Sequence, residues 1–228
     1  MSGTVTPLVK ICGLSTPETL DAALGAGADL VGFVHFPRSP RHVGLEAGRA
    51  LSARARGRAL RVALLVDPDD ATLEAVVEAL EPDLLQLHGS ESPERVAAVR
   101  ARFGRPVMKA VGIAQEADLA ALDRYRAVAD RFLLDAKPPK TAEALPGGNG
   151  IAFDWRLVAG LDPATSFMLS GGLNPDNVGV AIALTGARSV DVSSGVEARP
   201  GEKDPVRIEA FVRAARAAWA ASAKPPRA

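Results

Sequence analysis

Short apolar runs alternate with longer amphipathic stretches along this chain, and the alternation repeats from one end to the other. Runs rich in Val, Ile and Leu predict eight strands, at 8–12, 30–36, 61–66, 84–87, 107–111, 132–134, 167–169 and 190–192. Between them, apolar positions recur at helical spacing and predict helices at 17–25, 45–55, 70–80, 93–103, 115–125, 176–184 and 205–219. Start and stop signals agree. Thr16-Pro17, Ser92-Pro93 and Asp204-Pro205 each place a hydroxyl or carboxylate cap before Pro at the first helical position. Gly27-Ala28-Asp29 and Gly186-Ala187-Arg188 read as glycine stops ahead of the next strand. Strands alternating with helices imply a parallel sheet. An open doubly wound sheet shares this alternation, but eight evenly spaced units with no Gly-x-Gly-x-x-Gly turn after the first strand favour a closed (β/α)8 barrel.

The barrel accounts for residues 1–221 as one domain, and the polar tail 222–228, which has no apolar face, is expected to be disordered. Residues 136–151 interrupt the pattern. They are too rich in Pro and Gly to form an element, and a loop of that length is either disordered or functional, here as a mobile lid after the sixth strand.

Composition narrows the partners. The 27 basic and 27 acidic residues cancel, so no net field draws in nucleic acid or an anionic membrane surface, and a small molecule is the expected partner. No signal peptide is legible at the N-terminus and no run of apolar residues is long enough to cross a bilayer. A single cysteine forms no internal disulfide, which fits a cytoplasmic protein. The three His are scattered, so no metal is expected.

In a barrel of this kind the chemistry lies at the C-terminal ends of the strands. Two Ser/Gly corners, Ser170-Gly171-Gly172 and Ser193-Ser194-Gly195, close the last two strands. They read either as ordinary turns or, side by side, as a cradle in which positive-φ glycines and free N–H groups hold a phosphate. Cys12 ends the first strand and is either a small core residue or, if its thiolate is stabilised, a proton acceptor open to alkylation. Asp135 ends the sixth strand, where burial would favour a protonated general acid, although a cap or ion-pair role fits equally. Arg41 can grip a carboxylate with its fork, and His88 can hydrogen-bond a ligand or sit satisfied in the interior. Arg38, Asp67, Lys109 and Asp191 complete the set of polar strand-end candidates.

Taken together and in order, Lys10-Ile-Cys-Gly13, Ser39-Pro-Arg41, Gln86-Leu-His-Gly89, Leu133-Leu-Asp135, Ser170-Gly-Gly-Leu-Asn-Pro-Asp-Asn177 and Asp191-Val-Ser-Ser-Gly-Val-Glu197 resemble the phosphoribosylanthranilate isomerase family over about residues 9–216. The resemblance implies an Amadori rearrangement of N-(5-phosphoribosyl)anthranilate in tryptophan biosynthesis without a cofactor. It also implies roles: Asp135 as general acid, Cys12 as general base, Arg41 on the anthranilate carboxylate, Asp191 on a ribose hydroxyl and the two corners on the phosphate. A monomer or homodimer is expected. Asn149, where the family's glycine loop has a hydroxyl residue, and His35, where an aromatic is usual, depart from the pattern. The alternatives are the histidine-pathway isomerase, which uses two aspartates and is disfavoured by Cys12, and a silent phosphate-ligand binder.

Overall fold

In the computed structural model, which describes residues 6–138, 145–162 and 165–222, the eight apolar runs close into one parallel barrel. The strands are β1 (Leu8–Cys12), β2 (Leu30–Val34), β3 (Leu60–Leu65), β4 (Leu84–Leu87), β5 (Val107–Ile113), β6 (Arg131–Ala136), β7 (Phe167–Leu169) and β8 (Ser189–Val192), and β8 pairs back onto β1. Around them lie α1 (Pro17–Gly25), α2 (Leu45–Ala55), α3 (Asp70–Leu80), α4 (Pro93–Phe103), α5 (Ala120–Tyr125), α6 (Val178–Thr185) and α7 (Pro205–Ser222). The expected caps form. Thr16 and Ser92 accept the N–H of Thr19 and Arg95, and Asp204 accepts from Val206 and Arg207.

Strand parity divides the core. Val9, Ile11, Val31, Phe33, Ala63, Leu65, Leu85 and Leu87 point outward and pack under the helices in one large cluster. Their neighbours one residue along, Leu30, Val62, Leu84, Met108, Leu133 and Met168, point inward and plug the barrel floor. Near the mouth the inward positions become polar: Lys10, Gln86, Asp135 and Asp191 are all buried there.

Differences from the expected elements have local causes. The 115–125 stretch opens as a 3₁₀ turn, Glu116–Leu119, because the Asp118 carboxylate takes the N–H groups of Ala114 and Gln115 and so holds the chain off the regular helix. Helix α6 starts at Val178 rather than 176, since Asn174 and Asn177 bond each other's backbone and Asn177 also donates to the Gly172 carbonyl. An unforeseen two-stranded ribbon, β9 (Glu197–Arg199) with β10 (Glu202–Lys203), follows β8. The tail begins later than expected: Ser222 is the last residue of α7 and donates to the Ala218 carbonyl, while 223–228 lie outside the described residues. Ala136 belongs to β6, paired with Ile113, and so is not part of the loop; of the expected lid, 139–144 also lie outside the described residues.

Candidate active site

The barrel mouth holds a cavity with about 790 Å³ of empty space, its opening included, a size suited to a small-molecule ligand. Cys12, Arg41, His88, Asp135, Asp191, Gly171, Gly172, Ser193 and Ser194 all line it. Three polar candidates do not. Lys109 shares the outward parity of Val107 and Val111, so its Nζ meets Glu91 at 2.9 Å and the Gly89 carbonyl at 2.7 Å behind the strand. Asp67 caps the Ser90 N–H, and Arg38 is exposed on the β2 loop away from the cavity.

Asp135 is buried, with Oδ1 accepting the Ala136 N–H at 2.8 Å and Oδ2 lying 3.3 Å from His88 Nε2. Behind His88, Gln86 Nε2 lies 2.9 Å from Nδ1. This contact fixes the plane of the ring and leaves Nε2 facing the Asp135 carboxyl group. The pair sits under Gly147, where an added Cβ would lie 2.6 Å from His88 Nε2 and 2.8 Å from Asp135 Oδ2.

On the opposite wall, Cys12 is 3% exposed. The sulfur is reached through the cavity that Cys12 lines. Burial pushes the thiol above its ordinary range, the Lys10 charge opposes the rise, and the Asp191 charge adds to it. Asp191 accepts from Lys10 Nζ at 2.8 Å on Oδ1 and from the Ser170 hydroxyl at 3.1 Å on Oδ2.

Arg41 is buried with its fork already occupied. Nε and Nη2 donate to the two Glu197 oxygens at 2.7 and 2.8 Å, and Nη2 also reaches the Gly148 carbonyl at 3.2 Å. The side of the fork expected to grip a ligand carboxylate therefore holds Glu197, leaving the Nη1 end. Glu197 also accepts from Lys203 Nζ at 2.6 Å, and Lys203 in turn donates to the Ser193 carbonyl at 2.9 Å. Burial alone would raise Glu197, but hydrogen bonds and charge from Arg41 and Lys203 hold it below the usual carboxylate range, so it remains the anion between two cations.

The two corners form one concave wall. Gly171 and Gly172 take positive φ, 81° and 66°, as expected. Gly195 does not; its missing side chain instead lets the Leu173 carbonyl close against it, which locks the β8 corner onto the β7 corner. Ser193 opens a 3₁₀ turn, Ser194–Val196, and the first N–H groups of such a turn have no partner within it. At Gly172 an added Cβ would meet Ala152 backbone at 2.5–2.7 Å, so the glycine is required by the overlying chain.

Sequence reading missed Lys10, Gln86, Glu197 and Lys203, which hold the groups it named. Lys10 and Gln86 lie two residues before Cys12 and His88 on the same strand face, and that spacing was the available signal. Glu197 closes a motif quoted above but was given no role there, and Lys203 gave no signal, because the ribbon that brings them in is not periodic. Among the described residues no group of His, Cys, Asp and Glu is arranged to hold a metal ion, and no helix is long and apolar enough to cross a membrane.

Comparison with known proteins places this geometry in context. Residues 9–214 match the family model for N-(5'-phosphoribosyl)anthranilate (PRA) isomerase. The protein of that name from Azorhizobium caulinodans is 65% identical over 214 residues, covering 94% of this chain and 93% of its own. The crystal structure of phosphoribosyl anthranilate isomerase from Thermotoga maritima is 36% identical with a TM-score of 0.83, covering 93% of this chain and all of that one. A further structure, of phosphoribosyl anthranilate isomerase in complex with reduced 1-(o-carboxyphenylamino)-1-deoxyribulose 5-phosphate, is 34% identical with a TM-score of 0.80 over 93% of this chain and 100% of its own.

Proposed function

This chain belongs to the N-(5'-phosphoribosyl)anthranilate isomerase family, and from that premise we propose that Cys12 and Asp135 are the proton-transfer pair of the reaction. The protein is an isomerase of tryptophan biosynthesis, converting N-(5'-phosphoribosyl)anthranilate to 1-(2-carboxyphenylamino)-1-deoxyribulose 5-phosphate. The observation that carries the assignment is that both residues line one cavity, on the mouth ends of β1 and β6, with the two Ser/Gly corners between them around the barrel.

Asp135 protonates the furanose ring oxygen as the C1'–O bond breaks and the nitrogen lone pair forms the Schiff base. His88 steers the Asp135 carboxyl through its Nε2. The Cys12 thiolate then removes the C2' proton, giving an enolamine, and transfer of a proton to C1' with loss of the enol proton yields the ketose. The corners at Gly171-Gly172 and Ser193-Ser194-Gly195 bind the phosphate, the Nη1 end of Arg41 takes the anthranilate carboxylate, and Asp191 faces a ribose hydroxyl. Proton transfers alone complete the reaction, so no cofactor enters.

Fluorescence of the anthranilate group tests this reading. With N-(5'-phosphoribosyl)anthranilate supplied, signal should fall at a rate proportional to enzyme, whereas the histidine-pathway aminoimidazole substrate should not turn over. Turnover of the second and not the first would reverse the assignment.

A further inference from the structure

Lys10 has no solvent exposure, yet it carries an ammonium group deep in the barrel. A buried cation of this kind needs anionic partners, and two are present. Asp191, its register partner on β8, accepts at 2.8 Å, and the Cys12 sulfur lies beside it, two residues on along the same inward face. Gly32 on β2 leaves the room: a Cβ there would lie 2.9 Å from Cys12 Sγ and 3.3 Å from Lys10 Cε, so both side chains pack over the same bare Cα.

Asp191 does not by itself account for Lys10. Its second oxygen is already supported by the Ser170 hydroxyl, and two neutral side chains could fill the same volume without burying charge. We propose that Lys10 is a positioning residue whose ammonium serves as the counter-cation of the Cys12 thiolate. Asp191 holds Lys10 charged and aimed, and Ser170 holds Asp191, giving a chain of contacts across β7, β8 and β1 that ends on the sulfur. The proposal rests on the reading of Cys12 as the base.

The charged groups acting on the sulfur are few. Lys10 lies on its own strand, Asp191 on β8 and Lys203 on β10; toward β2 and β3 its neighbours are Gly32, Val34 and Leu64, none of them charged. Burial is the largest influence and raises the thiol, Lys10 comes next and lowers it, and Asp191 follows and raises it. Burial and Asp191 in turn push Lys10 in opposite directions, and the net effect with Cys12 added is upward, so the amine stays protonated when the thiol ionises.

Cys12 is the only cysteine in the chain, so thiolate absorbance and iodoacetamide alkylation each report on it alone. Lys10→Met should raise the titration midpoint and slow alkylation at fixed neutral pH by about tenfold or more. Because that variant strands Asp191, the charge-balanced Lys10→Met/Asp191→Asn variant is measured beside it. Its midpoint should also rise, since Lys10 outweighs Asp191. Lys10→Arg, which keeps the charge, should restore part of the alkylation rate. An unchanged or lowered midpoint in the double variant would overturn the proposal, because a lysine that only filled space would leave the thiol titration where it was. Failure of the underlying reading looks different: Cys12→Ala would then turn over near normally, whatever the Lys10 variants do to the thiol.

Discussion

At the scale of single residues, the site is a set of reactive groups each held by a buried partner. Glu197 has the widest reach, since it fixes Arg41 directly and Ser193 through Lys203. Glu197→Gln keeps the shape but removes the anion that Arg41 and Lys203 share. Binding should suffer more than chemistry, with KM rising about tenfold to a hundredfold, as for loss of hydrogen bonds to charged groups worth about 1.5–3 kcal/mol. Steady-state kinetics check this, and an unchanged KM would show that Arg41 and Ser193 need no such anchor. The residues that line the cavity were legible in the sequence because they lie at or just after strand ends, where a barrel concentrates chemistry. Lys109 misled because position along β5 was weighed without parity: it shares its face with Val107 and Val111, not with Met108 and Ala110. The pairing of Glu197 with Lys203 was not legible for a different reason, as they meet only when the chain after β8 folds back as a ribbon.

At the scale of elements, strand starts on the opposite face of the barrel are tied by a repeated device. Asp29, Asp83 and Asp130 each precede a strand. Each donates its N–H to the carbonyl of the residue near the start of the previous strand and accepts that residue's N–H on its carboxylate, bracketing Val9, Arg61 and Val107 in turn. Each also pairs with an arginine: Arg216, Arg61 and Arg100. This face governs stability, not catalysis. Asp83→Ala should therefore destabilise by about 1–3 kcal/mol and lower Tm by several degrees with little change in kcat, measurable by thermal unfolding. The pH dependence has a definite sign. Burial would raise Asp83 and Asp130, but hydrogen bonds from Arg61, and from Arg100 with the Val107 N–H, hold both below the ordinary carboxylate value. A depressed folded value means the contribution is fully present above the unfolded value near 3.9 and fades as pH falls through the lower folded one. Wild type should thus lose more stability than Asp83→Ala on acidification below about pH 4; parallel losses would contradict the pairing. Most elements were readable to within a residue or two because capped helices and apolar strands carry strong local signals. The 115–125 helix was not, because the carboxylate of Asp118 overrides its periodicity.

For the whole molecule, the decisive feature is that residues 145–151 lie against the mouth of the barrel. Leu145–Ile151 contributes to the cavity wall, with Gly147 against His88 and Asp135 and Gly148 against Arg41. The glycines marked this stretch in the sequence as a loop; the approach of Gly147 to His88 and Asp135 was not legible, since it depends on how the loop lies over the barrel. Gly147 does not take a positive φ, so a side chain there acts by collision and not by backbone strain. Gly147→Val should cut kcat about a hundredfold, the effect of a displacement of roughly 1 Å at a reacting group, while leaving Tm within a few degrees of wild type. Near-normal kcat would mean that the loop does not lie on His88 and Asp135 during turnover. The central claim is that Cys12 and Asp135 move the protons, and a single-turnover measurement with excess enzyme tests it most directly. Loss of phosphoribosylanthranilate fluorescence should be fast in wild type and slowed by roughly two to four orders of magnitude in both Cys12→Ala and Asp135→Asn, with both variants still binding product. Near-wild-type decay in either variant would contradict the account.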